Sequence, residues 1–219
     1  MTDPARDPAA FIRAQTAPGH AVLVPEIALY LASEITPIWQ ATEAWLHETG
    51  TEPPFWAFAW PGSIAMARHL LDHPSIARGR RVLDFASGCG LAAIAAARLG
   101  AARVEAAEID PLAIAAIHLN AALNSVTIEA HCADVVGADC RWDLILCGDV
   151  CYEAPMTGHI LPWLRRMAVS AEVWIADPGR AYLPREGLAV FAEFTVPTSH
   201  ELEDRPERVV RLSRLGGDP

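Results

Sequence analysis

Through the middle of the chain, short apolar runs alternate with stretches rich in helix formers. Val82 to Leu91 (VLDFASGCGL) opens as a strand and breaks into Ser87, Gly88, Cys89 and Gly90. Leu91 to Leu99 (LAAIAAARL) is a strong helix-former series, so the two glycines mark a strand handing over to a helix amino terminus. The alternation then repeats. Val104 to Ala107 reads as a second strand, and Pro111 to Leu123 as a helix capped by Asp110 with proline at its first position. Val126 to Cys132 is a third strand. Trp142 to Val150 is a fourth, apolar in the manner of a strand covered on both faces. A helix near Thr157 to Met167 leads to a fifth strand, Ala171 to Ala176, and Leu188 to Val196 and Glu207 to Leu215 read as a closing hairpin.

This order predicts an α/β fold: a Rossmann-like doubly wound sheet of seven strands with the last antiparallel, plus an N-terminal helical extension. In the extension, Pro8 to Gln15 is a short helix, Ala21 to Ser33 mixes an apolar run with Pro25, and Thr36 to Thr49 is an amphipathic helix carrying Trp39 and Trp45. Residues 1–50 are therefore expected to pack on a main domain of 51–219. Glu52 to Ser63 (EPPFWAFAWPGS) gathers Phe55, Trp56, Phe58 and Trp60 ahead of another helix through about Leu71.

The chain has 219 residues, 52% of them apolar, enough for one substantial core. A net charge of -10 and a pI near 5.2 argue against nucleic acid as the main partner and fit a lysine-bearing substrate. The chain has no lysine, all 17 basic residues being arginine. A Tyr-x-x-x-Lys reductase dyad, a Schiff-base lysine and a P-loop lysine are thereby excluded. Five cysteines without a C-x-x-C pair suggest reduced thiols in a cytoplasm. His131 with the Cys132 to Cys151 group matches no zinc-ligand spacing, so no metal is expected. Met1 to Arg13 lacks the layout of a secretory signal and no apolar run reaches spanning length, so a soluble protein without a membrane partner is expected.

Candidate chemistry gathers where strands end. Gly88 and Gly90 let backbone approach a ligand, and Glu108, twenty residues past Gly88, has the spacing of a carboxylate that accepts from both ribose hydroxyls. Gly88-x-Gly90-x-x-Ala93 also fits a dinucleotide fingerprint. Against that, Asp84 sits just before the turn, where a pyrophosphate would meet negative charge and a sulfonium ligand such as S-adenosylmethionine would not. Trp60 is a candidate to stack on adenine or face a sulfonium, a cation–π attraction worth about 0.5 to 2 kcal/mol; the alternative is a buried aromatic cluster. Asp134, past the third strand, is a candidate for the adenine amino group or a solvated turn residue. Asp149, at the end of the fourth strand with Tyr152 nearby, either caps a turn or stands on the catalytic rim.

Taken together, Asp84-x-x-Ser87-Gly88-Cys89-Gly90, Glu108-Ile109-Asp110-Pro111 and Asp149-x-x-Tyr152 resemble the seven-strand S-adenosylmethionine-dependent methyltransferases. More narrowly, VPEI at Val24 to Ile27, FWAFAWPGS at Phe55 to Ser63, LLDHP at Leu70 to Pro74 and DPGRAYLP at Asp177 to Pro184 are similar to the electron transfer flavoprotein beta-subunit lysine methyltransferases and their bacterial relatives. The resemblance implies a protein-lysine N-methyltransferase acting on that subunit. It implies S-adenosylmethionine held by Trp60, Asp84, the Ser87 to Gly90 turn with Cys89, Glu108, Asp134 and Gly148, and Asp149 with Tyr152 at the acceptor. Alternatives are a ribosomal protein lysine, a small amine, or a cofactor-binding module that catalyses nothing. One departure is Ala86, where relatives often have glycine; its methyl group is expected to be tolerated if the backbone angle is ordinary.

Overall fold

The computed structural model describes residues 7–32, 54–198, 203 and 205–217. Helix α1 (Pro8–Gln15) begins at Asp7, whose carboxylate accepts from the Ala10 N–H at 2.9 Å. Next comes an antiparallel hairpin of β1 (Ala17–Ala21) and β2 (Val24–Leu31), so the extension is part helix and part hairpin. The helix expected at 36–49, with Trp39 and Trp45, lies outside the described residues.

The main sheet is built from β3 (Arg81–Phe85), β4 (Arg103–Glu108), β5 (Glu129–Cys132), β6 (Leu144–Gly148), β7 (Glu172–Asp177), β8 (Leu188–Pro197) and β9 (Glu207–Leu215). Its order is β5-β4-β3-β6-β7-β9-β8, parallel from β5 to β7, with β9 inserted antiparallel to both neighbours. Seven strands with an antiparallel closing pair is the architecture the apolar pattern implied. From β3 the chain steps outward one way to β4 and β5, and the other way to β6 and β7. Strand order thus reverses between β3 and β6, so the carboxyl ends of β3, β4 and β6 border a single crevice.

Among the described residues four further α-helices cover the sheet: α2 (Pro61–Asp72), α3 (Leu91–Arg98), α4 (Pro111–Leu123) and α5 (Ala154–Met167). Alternation along each strand decides which face a residue serves. Val82, Leu144, Leu146 and Trp174 join Met66, Leu70, Leu91 and Ile94 on one side. Leu83, Phe85, Ile145 and Ile175 join Trp142, Trp163 and Leu164 on the other. Burying each large side chain contributes about 1.5–3 kcal/mol, so neither layer is dispensable.

β5 starts later than its apolar run. The Val126 N–H is spent on the Ala121 carbonyl at the end of α4, at 3.1 Å, and Ser125 turns the chain at φ +55°. Pairing with β4 therefore begins at Glu129. The hairpin is joined to α4 by asparagine side chains: Asn120 Oδ1 accepts from Tyr30 N–H (2.7 Å), and Asn124 bonds both N–H and carbonyl of Ala28 (3.1 and 2.6 Å). Asn120 also donates to the Cys89 carbonyl at 2.8 Å, which ties extension, helix and glycine turn together.

Candidate active site

The glycine turn is the floor of the site. After Phe85 the chain passes Ala86 at φ +52°, Gly88 at +55° and Gly90 at +81°, and Gly90 opens α3. The Ala86 backbone is therefore not ordinary, and its methyl group occupies the left-handed region, at a cost of about 1–2 kcal/mol. Added bulk at Gly88 would meet nothing nearer than the Phe55 carbonyl at 4.0 Å, so this glycine serves angle and access.

Asp84 lies beneath the turn. Its Oδ2 accepts from Ser87 Oγ (2.5 Å) and from the Ala93 N–H (3.0 Å). Burial pushes the Asp84 carboxyl up to about 7, against the pull of those two donors. The expected charge facing a ligand is thus turned inward, and Asp84, Ser87 and Gly90 shape the turn from behind the wall of the crevice. The carboxylate presented to the crevice is that of Glu108. Its Oε1 accepts from the Gly88 N–H (2.8 Å) and its Oε2 from the Ile109 N–H (3.1 Å), while burial raises its carboxyl. An amide that would cradle a pyrophosphate is already bonded to an anion, which disfavours the dinucleotide alternative.

The crevice encloses about 620 Å³ and its wall includes Trp60, Gly88, Cys89, Glu108, Asp134, Gly148, Asp149 and Tyr152. Burial pushes the Cys89 thiol up to about 12, so it acts as a small apolar surface. The Trp60 indole donates to the Phe55 carbonyl at 2.9 Å. The Phe55 ring stands 5.8 Å from Trp60 and 5.7 Å from Tyr152, bridging the two aromatics. Asp134 accepts from the Val136 N–H (2.9 Å) and pairs with His159 Nε2 (2.7 Å), so its carboxyl is held below its ordinary range.

At the far end, β6 stops at Gly148 and Asp149 turns at φ +55°. A side chain at Gly148 would press on Ser63 at 3.0 Å, and one at Gly62 would strike Asp149 itself; glycine at both lets α2 begin against the strand end. Asp149 is buried. Its Oδ2 accepts from the Gly62 N–H, and its Oδ1 from Arg180 Nη2 (2.9 Å) and Nε (3.3 Å). Burial pushes the carboxyl up to about 6, with Arg180 and the Gly62 N–H opposing.

Residue types at strand ends did not reveal Phe55, Gly62, His159, Arg180 or Glu203. The tryptophan segment contained Phe55 and Gly62, and the Asp177-Pro178-Gly179-Arg180 turn contained Arg180, but only the adjacency of β6 and β7 assigns Arg180 a partner. Among the described residues no cluster of three or more histidine, cysteine or acidic side chains could hold a metal, and the five cysteines are unpaired. No described helix is long and apolar enough to cross a membrane.

A doubly wound sheet with its crevice at the β3/β6 reversal, a carboxylate on the glycine turn and a buried aspartate at the end of β6 is the framework that comparison with known proteins identifies as an S-adenosylmethionine-dependent methyltransferase. The family model "Ribosomal protein L11 methyltransferase (PrmA)" matches residues 65–148. The Xenopus laevis electron transfer flavoprotein beta subunit lysine methyltransferase is 41% identical over 179 residues, 80% of this chain and 71% of that protein. The Danio rerio protein of the same name is 37% identical over 191 residues, 83% of this chain and 72% of that one. Accordingly, the chain belongs to the electron transfer flavoprotein beta subunit lysine methyltransferase family. A solved magnesium protoporphyrin IX methyltransferase from Synechocystis, with S-adenosylmethionine bound, shares the fold at a TM-score of 0.52 and 16% identity, over 84% of this chain and 100% of its own.

Proposed function

We propose that this enzyme methylates a lysine of the electron transfer flavoprotein beta subunit. The observation that carries the reading is Asp149: a buried, ionisable carboxylate at the end of β6, on the same crevice as Glu108 and beside Tyr152. The names of the relatives supply the substrate.

Several features support a fit to the cofactor. Glu108 offers two oxygens to a ribose, Gly88 leaves open space beside it, and Asp134 stands where an adenine amino group could donate. Trp60 and Phe55 offer apolar walls for a flat base or a sulfonium. When bound, S-adenosylmethionine supplies a methyl group on a positive sulfur, open to displacement by an uncharged amine.

The acceptor side follows from charge. A lysine amine has a reference pKa of about 10.4, so it arrives mostly as ammonium. Asp149 attracts that ammonium, which gives up its proton to solvent, and then accepts a hydrogen bond from the neutral amine, fixing its lone pair. Tyr152, 42% exposed at the mouth, shapes the entrance for an extended side chain. The net charge of -10 supports a basic protein segment over nucleic acid, and the five unpaired thiols support a cytoplasmic setting.

A specific observation favours a second reading: the match to the L11 methyltransferase model points to a ribosomal protein lysine. Purified enzyme with labelled S-adenosylmethionine, offered the flavoprotein subunit, ribosomal protein L11 and small amines separately, distinguishes the two. Label on a lysine of the flavoprotein subunit is expected; label confined to L11 or to small amines contradicts the proposal.

A further inference from the structure

Arg180 leaves β7 in a turn where Asp177 Oδ1 accepts the N–H groups of Gly179 and Arg180, each at 2.6 Å. The turn aims the guanidinium back at the end of β6. Nη2 reaches Asp149 Oδ1 at 2.9 Å, while Nη1 and Nη2 hold Glu203 at 3.2 and 2.5 Å. Glu203 is buried and is gripped in turn by Arg208 of β9, through Nε at 2.9 Å and Nη2 at 2.7 Å. The result is a chain of alternating charge from the crevice outward: Asp149, Arg180, Glu203, Arg208.

We propose that Arg180 is a positioning residue for methyl transfer, one that keeps buried Asp149 a carboxylate and holds its Oδ1 edge so that the acceptor nitrogen meets a fixed orientation. This rests on the lysine reading above. Removing Arg180 takes away the cation that faces Asp149, and burial then favours the protonated acid. The other groups facing Asp149 do not replace the cation. The Gly62 N–H contributes only a dipole, Asp177 disfavours a second anion, and the Cys151 thiol is pushed up to about 12 by burial and stays neutral. Glu153 and His159 line the same crevice. A protonated Asp149 neither attracts the ammonium nor accepts from the amine as strongly.

The test is the pH dependence of kcat on the flavoprotein subunit at saturating cofactor, for wild type, Arg180→Gln, Arg180→Lys and Glu203→Gln. Arg180→Gln is expected to move the ascending limb about one unit to higher pH, from about 6, a loss of about tenfold near pH 5 that shrinks to about twofold near pH 7. Arg180→Lys keeps a cation and should keep the limb near that of wild type. Glu203→Gln removes an anion and leaves Arg180, so its limb should move to lower pH. Binding of S-adenosylhomocysteine by calorimetry reports whether each variant folds. Equal loss at every pH, or no change, in Arg180→Gln overturns the inference; if that variant does not fold, an unmoved or alkaline-shifted limb in Glu203→Gln does so. Absence of lysine labelling by wild type would overturn the parent reading and this one with it.

Discussion

The backbone N–H of Gly62 donates to the carboxylate of Asp149, 87 residues later in the chain, and the Asp149 N–H donates in turn to the Ala176 carbonyl at 3.0 Å. The amino terminus of α2 and the ends of β6 and β7 meet in this knot, with the helix amino terminus favouring the anion. A Cβ at Gly62 would stand 2.5 Å from Asp149 Oδ2, 2.6 Å from the Ala176 carbonyl and 2.8 Å from the Asp149 nitrogen. Two of those atoms are backbone, so the helix itself must shift. Gly62→Ala should cost about 1–3 kcal/mol in denaturant unfolding and lower turnover well beyond the loss of folded protein. Wild-type stability and rate together would show that the knot is not needed.

Ala86 tests the strain in the turn. Its φ of +52° suits glycine, so Ala86→Gly relieves a steric cost while adding freedom to the unfolded chain. The balance should stabilise by about 0.5–1 kcal/mol, read as a higher urea midpoint at unchanged slope. A lower midpoint would contradict the strained-turn account.

Asp84 tests the sign of a buried charge. Its carboxyl is raised by burial to about 7 in the folded protein from 3.8. The folded form therefore prefers the neutral acid, and stability present below the unfolded value is lost as pH climbs through about 7. Asp84→Asn, which can still accept from Ser87 and the Ala93 N–H, should gain stability relative to wild type between pH 5 and pH 8. Denaturant curves at both pH values check this; a gap that narrows with rising pH contradicts it.

Glu108 carries the cofactor side. Glu108→Gln keeps an oxygen for the Gly88 N–H but loses the charge. Because hydrogen bonds to charged groups are worth about 1.5–3 kcal/mol, affinity for S-adenosylhomocysteine should fall by about tenfold or more in calorimetry. Unchanged affinity would move the ribose elsewhere.

Much of the fold was legible because strands covered on both faces read as near-continuous apolar runs, and because Asp110 and Pro111 announce a helix start chemically. The crevice residues Gly88, Glu108 and Asp149 were legible for a related reason: each stands where a strand ends. The β1–β2 hairpin was not. Pro25 interrupts its run, and the asparagines that join β2 to α4 lie about ninety residues away. Asp84 misled because a carboxylate near a glycine turn has two directions to face, and only the Ser87 and Ala93 donors decide between them. Arg180 and Glu203 were illegible for want of a local signal, since Arg180 meets Asp149 only where β6 and β7 lie side by side and Glu203 is held by Arg208 of β9.

The account depends most on Asp149 acting at the acceptor and not at the cofactor. Asp149→Ala, titrated with S-adenosylhomocysteine by calorimetry and assayed for methyl transfer to lysine, separates the two roles. Near wild-type binding with turnover abolished is the expected result; binding and turnover lost together would contradict it and move Asp149 into the cofactor site.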